Sequence, residues 1–428
     1  MLKVAEHKDP QHSLKTEEFL SAEKLYLPLS QHTGKPSKIC VEKNQTVQKN
    51  QLIAKSDGFI SAPLHAPVKS KVSEIKKHFH PKFGKIESIV LETHLDKEKK
   101  EPLDHSLDLG QLTKEDILTA IAKAGVVGMG GAGFPTQVKL KPPKKIDTLI
   151  INGCECEPYL ASDHRLMIEN LKDIFKGIEV ISKLVEPKEI IFAVEENKKE
   201  AIKKINLFIH AKKANLSRIK LKVLKSRYPQ GGEKQLIDSV TNRKISGEML
   251  PFDVDCIVGN VATCFAVYQA ACLNQPLTRR IVTFCGDALV KPKNIWLNIG
   301  TTLSELVDKK IIEFKKEPKK IIFGGPMMGD AAVDLATPIL KTTSGVLFLG
   351  ELPKEKEESA CIRCGRCINY CPMNLMPLEY VKMVKNKKYK NLDDYYIKDC
   401  IECGCCSYVC PAQIPILDYI RLGKEKIK

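Results

Sequence analysis

The sequence predicts a multidomain α/β protein that ends in a cysteine-rich module, and three observations carry this prediction. The chain has 428 residues, which exceeds what one hydrophobic core usually serves and suggests about three domains. Strand-like runs alternate with helix-like runs from Ile146 to about Thr278, as expected for a sheet with helices on both faces. Eight of the 16 cysteines stand at metal-ligand spacing near the C-terminus.

Residues 1–110 are predicted to form a small β module and a linker. Between about Leu27 and Glu92, short β-type segments alternate with turns, which is typical of a small sandwich or barrel. This part resembles the barrel-sandwich fold of lipoyl carriers. Because no lysine stands at its tip, we expect a structural module without a prosthetic group. The charged, proline-containing stretch from Asp96 to Asp104 predicts a linker.

Three further domains are predicted after residue 110. The α/β domain spans residues 111–278 and begins with a helix that Thr113 and Asp116 cap and that ends at Gly125. Residues 279–350 contain strands around turns and resemble a β-grasp domain. Residues 351–428 contain the eight cysteines at metal-ligand spacing, so we expect a small helical module there.

Composition limits the function classes. The formal charge of +16 permits acidic partners, anionic lipid or nucleic acid. The lysines lack interleaved aromatic residues, so we expect solvated basic faces and no nucleic-acid partner. The most apolar stretch, Ile257 to Leu273, is shorter than a membrane span and predicts a buried helix. The first residues show no export signal, which predicts a cytoplasmic location and only peripheral membrane contact.

The cysteines form a two-fold repeat. Each half has the spacing C-x2-C-x2-C-x3-C-P, which is the pattern of bacterial two-cluster ferredoxins, and the fourth cysteine of each half serves the other cluster. We therefore expect two 4Fe-4S clusters. Zinc is the competing hypothesis, but it needs four thiolates and gives no reason for the triple spacing. The first cluster is assigned to Cys361, Cys364, Cys367 and Cys410, and the second to Cys371, Cys400, Cys403 and Cys406. Cys405 is surplus to the repeat.

A glycine loop follows the predicted capped helix. Gly128, Gly130 and Gly133 match G-x-G-x-x-G, which alone is weak evidence for dinucleotide binding. The context differs from the ordinary version, because a helix precedes the loop where a strand is expected. The loop still offers backbone amides for phosphate and room for a flat ring.

A second block, INGCECEPY from Ile151 to Tyr159, indicates which class of ligand the glycine loop binds. Together with GGAGFPT it closely resembles the flavoprotein subunit of respiratory complex I, and the blocks YPQGGEK and GNVAT follow in that family's order. The resemblance implies FMN and NADH. It implies that these residues surround the FMN: Gly128, Gly130, Lys139, Asn152, Glu155, Tyr228, Gly231, Asn260 and Thr263. It implies that these face NADH: Gly131, Ala132, Phe134, Glu157 and Glu233.

The sequence departs from the complex I pattern at three positions. Met129 replaces a basic residue, Cys154 replaces an acidic residue, and Gly232 replaces a glutamate. The grip on the nucleotide is therefore expected to differ. Cys154 and Cys156 form C-x-C, but without two further ligands nearby we interpret them as ordinary thiols of the flavin loop.

Over nearly its whole length the chain resembles the RnfC family of Rnf electron transport complexes. Supporting phrases are LPLSQHTGKP, GFISAPLHAPV, ECEPYLASDHRLM and FGGPMMG, together with the cysteine repeat. The resemblance implies that NADH, FMN and two 4Fe-4S clusters exchange electrons, and that ferredoxin is reached indirectly. It also implies membrane partners, namely the other Rnf subunits including the ferredoxin-interacting iron–sulfur subunit, and a place at the cytoplasmic face of the membrane.

Two alternative functions remain at this point. A cobalamin reductase of the microcompartment type resembles the chain in both its flavin and its cluster motifs, but it begins almost at the glycine loop. The residues that precede the loop here therefore favour Rnf. A non-catalytic polyferredoxin adaptor would use the α/β body only for docking, and it would contain iron and sulfide without FMN.

Overall fold

The computed structural model describes residues 1–93, 107–211, 218–352 and 357–427. The predicted linker from Asp96 to Asp104 lies outside these ranges. Most buried apolar side chains belong to one continuous core that runs from the N-terminal strands to residue 348. The cysteine module has a smaller core of its own, centred on Tyr380, Leu392 and Ile420.

Short strands make up most of residues 1–93. Two small sheets form here, a four-stranded sheet of order β2-β8-β7-β4 and a three-stranded sheet of order β3-β5-β6. The strands of this part are β1 (Thr16–Phe19), β2 (Lys24–Pro28), β3 (Lys38–Ile39), β4 (Thr46–Val47), β5 (Leu52–Lys55), β6 (Leu64–His65), β7 (Ser70–His80) and β8 (Gly84–Thr93). The two sheets enclose fully buried side chains such as Val47, Ile53 and Val72.

The α/β body contains a four-stranded parallel sheet of order β11-β10-β9-β12. Its strands are β9 (Thr148–Gly153), β10 (Glu189–Glu195), β11 (Ile219–Leu224) and β12 (Cys256–Asn260). Its helices are α1 (Lys114–Lys123), α2 (Thr136–Lys139), α3 (Ser162–Glu169), α4 (Leu171–Val185), α5 (Lys199–Ala211), α6 (Glu233–Thr241) and α7 (Val261–Leu273). Short 3-10 helices lie at Leu109–Gln111 and Pro251–Val254.

Two helix predictions in this body have different outcomes. The capped helix is confirmed: Thr113 accepts from the Asp116 N–H, and the Asp116 carboxylate accepts in return from the Thr113 N–H. The single helix from Ile257 to Leu273 is wrong in its first part, because residues up to Asn260 form strand β12. An apolar run does not reveal whether it is a buried strand or a buried helix. Asn260, which caps α7 with its side chain, marks the change.

A six-stranded mixed sheet follows, of order β1-β14-β13-β17-β15-β16. Its later strands are β13 (Arg279–Cys285), β14 (Lys293–Asn298), β15 (Lys320–Phe323), β16 (Asp330–Ala332) and β17 (Gly345–Leu349), with helix α8 (Leu303–Asp308) between them. Strand β1 pairs in parallel with β14, so residues 16–19 join a sheet built mainly from residues 279–349. Nothing in the sequence pattern pointed to this pairing.

The cysteine module consists of short helices in a two-fold repeat, in which Cys400 of the second half corresponds to Cys361 of the first. Its helices are α9 (Arg366–Asn369), α10 (Pro377–Lys385), α11 (Cys405–Tyr408) and α12 (Ile416–Lys426), with 3-10 helices at Tyr389–Tyr395 and Ile397–Asp399. The glycine before each short helix has nearly the same positive φ, +73° at Gly365 and +75° at Gly404. Among the helices in the described ranges, none has the length and apolar character needed to span a bilayer.

Candidate functional site

The candidate site lies at one edge of the parallel sheet. Strands β9 and β12 are neighbours, and Asn152 stands in register with Asn260 where both strands end. Ligands of open α/β sheets bind outside the carboxyl ends of the strands. Two of the four sequence blocks therefore meet at the edge where a ligand is expected.

The glycine loop is closed by its own backbone. The Gly128 N–H donates to the Phe134 carbonyl at 2.9 Å, and the Gly133 N–H donates to the Gly128 carbonyl at 3.0 Å. Gly131 has a φ of +101°, which L side chains rarely adopt, and a Cβ there would meet open space. The tip formed by Gly130, Gly131 and Ala132 is exposed, so its backbone faces solvent and is open to a ligand.

Hydrogen bonds join this loop to the end of β12 and the start of α7. The Met129 N–H donates to Thr263 Oγ1 at 2.9 Å. Asn260 accepts from the Ala262 N–H at 2.9 Å and donates to Asp163 at 2.6 Å. A Cβ on Gly130 would lie 3.3 Å from Asn260 Nδ2, so glycine allows the loop to approach this side chain closely.

Residues 154–158, which follow β9 and are here called the acidic turn, are also held by hydrogen bonds. Glu155 is buried, and its Oε1 accepts from Ser162 Oγ and from the Asp163 N–H, both at 3.1 Å. Asn152 Nδ2 donates to the Gly231 carbonyl at 2.9 Å. These bonds join the turn after β9 to α3 and to the YPQGG block. All four sequence blocks thus form one hydrogen-bonded assembly.

Lys139 and Glu233 contact each other at the side of this assembly. Their Nζ and Oε1 atoms are 2.5 Å apart, and both side chains are partly exposed. Such a pair contributes little to stability when solvent reaches it. The Lys139 or Glu233 side chain can therefore move toward a charged ligand at little cost in free energy.

Glu157 points toward the second β-rich domain. Its Oε2 accepts from the Met327 N–H at 3.1 Å, and a Cβ on Gly325 would overlap that oxygen. Burial raises the pKa of Glu157 to about 7, even though the N–H groups of Met327 and Met328 act in the opposite direction. Its other oxygen, Oε1, is buried without a hydrogen-bond partner in the described part of the chain. The FGGPMMG segment thus covers this carboxylate.

Residues 1–13, here called the N-terminal segment, cross the site, a placement that no sequence motif had indicated. The backbones of Leu2 and Tyr228 exchange two hydrogen bonds of 2.8 Å each, and the Tyr159 N–H donates to the Glu6 carbonyl at 2.8 Å. Lys8 is buried and donates to the Glu155 carbonyl. Burial lowers the pKa of Lys8 to about 8. The segment therefore contacts both the acidic turn and the YPQGG block.

Further residues beyond those predicted take part in the site. Thr33 of the N-terminal module is hydrogen-bonded to the glycine loop. Its N–H donates to the Gly133 carbonyl at 2.9 Å, and its hydroxyl donates to the Ala132 carbonyl at 2.7 Å. Behind the acidic turn, the fully buried Lys198 Nζ lies 3.9 Å from Glu155 and 4.0 Å from Glu195. Thr33 belongs to the phrase LPLSQHTGKP, which was the one signal that could have found it.

The cysteines lie in two groups. Three cysteines of the first half and one of the second line a common cavity with apolar walls; they are Cys361, Cys364, Cys367 and Cys410. In the other group, burial raises the pKa of Cys406 to about 12, and the thiols of Cys400, Cys403 and Cys371 contribute to that rise because they lie close by. Both halves share an N–H donated to sulfur at 3.4 Å, from Arg363 to Cys361 and from Glu402 to Cys400.

The thiol arrangement fits iron–sulfur clusters. Within the described ranges, no three His, Cys, Asp or Glu side chains converge closely enough to hold a single metal ion. A cubane needs no such convergence, because each of its thiolates binds a different iron. Two groups of four cysteines, each drawing its fourth member from the other half, have the composition that two such clusters require.

The cysteine module contacts the α/β body directly. The Tyr228 hydroxyl donates to the Cys403 carbonyl at 2.8 Å and is buried. Gln235 of α6 donates to the Met373 sulfur at 3.1 Å. Around the tyrosine, Leu2, Cys403 and Cys405 form a small apolar cluster. The group containing Cys403 thus lies against the YPQGG block.

Comparisons with known families agree with this arrangement. Residues 121–269 match the Nuo51 FMN-binding domain, residues 2–96 match the RnfC barrel sandwich hybrid domain, and residues 360–414 match a 4Fe-4S dicluster domain. The barrel-sandwich module, the FMN domain and the two-cluster ferredoxin-like module predicted from sequence are therefore confirmed. FMN and two iron–sulfur clusters are the cofactors of this domain set.

Relatives of known name share most of the chain. It is 42% identical over 83% of its length to the C subunit of the proton-translocating ferredoxin:NAD(+) oxidoreductase complex of Clostridium ljungdahlii, covering 77% of that protein. It is 36% identical over 83% of its length to the C subunit of the Na(+)-translocating ferredoxin:NAD(+) oxidoreductase complex of Acetobacterium woodii, covering 80% of that protein.

A solved structure with a similar fold is that of a NAD+-reducing [NiFe]-hydrogenase. The TM-score is 0.52 and the identity 16%, over 73% of this chain and 66% of that one. This likeness shows the fold alone. The sequence relatives and the family models together show that the chain belongs to the RnfC family of Rnf complex subunits.

Proposed function

We propose that this chain is the peripheral NADH-, FMN- and iron–sulfur-binding subunit of an Rnf ion-translocating ferredoxin:NAD oxidoreductase complex. It passes electrons between NAD(H) and membrane partner subunits at the cytoplasmic face of the membrane. Its partners are the other Rnf subunits, including the ferredoxin-interacting iron–sulfur subunit, so ferredoxin is reached indirectly. The relatives' names and the three matched domains support this proposal.

The proposed FMN cradle is the edge of the parallel sheet. The exposed tip of the glycine loop supplies backbone N–H groups, which bind phosphate well. Asn260 and Asn152 fix the floor at the ends of the two strands, and Thr263 holds the loop over it. The proposed cradle residues are Gly128, Gly130, Lys139, Asn152, Glu155, Tyr228, Gly231, Asn260 and Thr263. Gly133 is a further proposed cofactor-binding residue of the same glycine loop.

The proposed NADH face lies on the outer side of the loop. Gly131 and Ala132 are exposed there, and Phe134 offers an aromatic face on which an adenine can stack. Glu233 is a carboxylate of the kind that accepts hydrogen bonds from ribose hydroxyls. The resemblance assigns Glu157 to the same face, although the FGGPMMG segment covers its carboxylate in this structure. When bound, FMN exchanges hydride with the nicotinamide, and the clusters carry single electrons.

The proposed cluster ligands follow the two groups of thiols. Cys361, Cys364, Cys367 and Cys410 hold the first cluster, and their shared cavity supports this set. The second set consists of Cys371, Cys400, Cys403 and Cys406. Cys405 is outside both sets and packs against Leu2 and Tyr228.

We also propose a division of the chain into four domains. The N-terminal barrel-sandwich module and linker span residues 1–110, the FMN/NADH domain 111–278, a β-grasp domain 279–350, and the ferredoxin-like module 351–428. The mixed sheet of β13 to β17 with helix α8 supports a β-grasp domain. Strand β1 contributes to that sheet from the first domain.

One observation carries the electron-transfer proposal, namely the hydrogen bond between Tyr228 and the Cys403 carbonyl. It brings a proposed second-cluster ligand into direct contact with a block of the proposed flavin cradle. A two-electron carrier and a one-electron carrier must lie close together if electrons are to pass between them. The contact between their binding elements supports such a transfer.

The experiment is an anaerobic titration of the reconstituted protein with NADH. The flavin absorbance should bleach first, and the paramagnetic signals of reduced clusters should follow. A chain that contains iron and sulfide but no FMN and leaves NADH unoxidised would be an adaptor, and the proposal would then be wrong. Reduction of cobalamin by the purified protein would favour a cobalamin reductase.

A further inference from the structure

The two halves of the cysteine repeat differ in exposure, although their backbones match. Cys403 is buried, whereas its counterpart Cys364 is exposed. Ile401 packs into the apolar cluster around Tyr228, whereas its counterpart Ile362 is 67% exposed. The face that contacts the flavin domain in the second half is therefore uncovered in the first half.

Two further pairs show the same difference. Cys405 is 1% exposed within the interface, and its counterpart Arg366 is exposed. Val409 packs at the interface, and its counterpart Tyr370 is 39% exposed. The internal symmetry thus relates an occupied docking surface to an unoccupied one with the same backbone.

We propose that this uncovered surface, formed by Ile362, Arg363, Arg366 and Tyr370 and here called the outer face, docks a second electron-transfer protein. Its occupant is a subunit of the same complex that carries its own redox centre within an acidic rim. The inference rests on the proposed function and adds to it the place where electrons leave or enter the chain. The buried half faces the flavin, and the exposed half faces the partner.

The chemistry of the outer face selects an acidic occupant. Arg363 and Arg366 are exposed and line the same cavity as the exposed Cys361 and Cys364 of the first cluster group. The nearby carboxylate of Glu358 is already paired with Lys385. Complementary charge speeds encounter and fixes orientation. Ile362 supplies the apolar anchor that a protein interface needs at its centre.

The proposed transfer moves one electron at a time. One electron leaves the reduced first cluster, and the oxidised centre of the partner is reduced by that electron, with no bond formed or broken. Two such events complete the oxidation of one NADH. The same face serves the opposite direction of flow, in which the partner is oxidised.

Charge reversal tests the outer face. Glutamate fits position 363, because Glu402 occupies the equivalent position with a φ of +55° against +53° for Arg363. Arg363→Glu should therefore keep the loop intact. Arg366→Glu places an acid at the start of α9, where the helix dipole favours it. Lys172→Glu, at an exposed position of α4 outside the cysteine module, is the control with the same charge change.

Two assays separate this inference from the proposed function. In the isolated chain, NADH should reduce the clusters of both arginine variants as in the wild type. In the reconstituted complex, NADH-dependent electron transfer should fall about tenfold and lose its dependence on ionic strength, while the Lys172→Glu complex stays active. Full activity of both arginine variants in the complex, or loss of cluster reduction in the isolated variants alone, would overturn the outer face. Failure of wild-type cluster reduction would refute the proposed function instead.

Discussion

Replacing Tyr228 by phenylalanine should weaken the junction between the flavin domain and the cysteine module. The substitution removes one hydroxyl, which donates to the Cys403 carbonyl at 2.8 Å in a buried environment. A hydrogen bond of this kind contributes about 1 kcal/mol, and a carbonyl left unpaired in the interior raises the cost to about 1–3 kcal/mol. The ring stays in place, so the apolar contacts with Leu2 and Cys405 remain.

The consequence for electron transfer is specific. The same hydroxyl also lowers the pKa of the Glu157 carboxyl against the larger effect of burial, so its removal should raise that pKa further. Because the cysteine module is held less firmly, cluster reduction should slow by a larger factor than the bleaching of the flavin by NADH. Stopped-flow absorbance measures the flavin bleaching, and freeze-quenched paramagnetic resonance measures the cluster reduction.

Tyr380→Phe is the matched control. Tyr380 is also buried and also donates to a backbone carbonyl, that of Tyr395 at 2.6 Å, but both partners lie inside the cysteine module. It should cost a similar unfolding free energy in urea titrations and leave the rate of cluster reduction unchanged. Equal slowing in both variants would refute the reasoning, because general destabilisation would then explain the effect.

Three other predictions concern charge and cofactor content. Burial raises the folded-state pKa of Glu157 to about 7, so its protonated carboxyl stabilises the fold fully below about pH 4.5, and this contribution is lost as the pH rises through about 7. Glu157→Gln should remove this pH dependence of the unfolding free energy, which amounts to at most roughly 3 kcal/mol. Urea unfolding at several pH values measures it. Lys8→Met removes the donor to the Glu155 carbonyl and leaves that buried acceptor unpaired, which should cost about 1–3 kcal/mol in thermal unfolding, with weaker FMN binding by fluorescence titration. Cys364→Ser should lose one of two clusters by iron analysis, whereas Cys405→Ser should keep both.

Local signals were the most informative part of the sequence. Thr113 and Asp116 lie within one helical turn, so the formation of this helix cap depends on no distant contact. The cysteine spacing is equally local and predicted the repeat that the backbone shows in the matching positive φ angles of Gly365 and Gly404. Motif order predicted that four separate blocks meet, and hydrogen bonds such as Asn152 to Gly231 join them.

Long-range pairings were not predictable from the chain. Strand β1 lies near the N-terminus and joins β14, which begins only at Lys293, and a strand as short as Thr16–Phe19 carries too little information to select that partner. No sequence motif distinguishes Lys8 from the other lysines, yet it is 4% exposed and hydrogen-bonded to the acidic turn. Burial and the nearby Lys198 disfavour its charge, whereas Glu155 and Glu195 favour it, and only the folded chain brings these groups together.

The N-terminal segment also constrains the order of biogenesis. Leu2 is synthesised before Tyr228, with which it pairs, and before Cys403, beside which it packs. The segment therefore lacks part of its contact surface until Cys403 has been translated. Because that surface includes residues next to the cysteines proposed to hold the second cluster, delivery of iron and sulfide to those cysteines and closure of the segment over them become linked events in maturation.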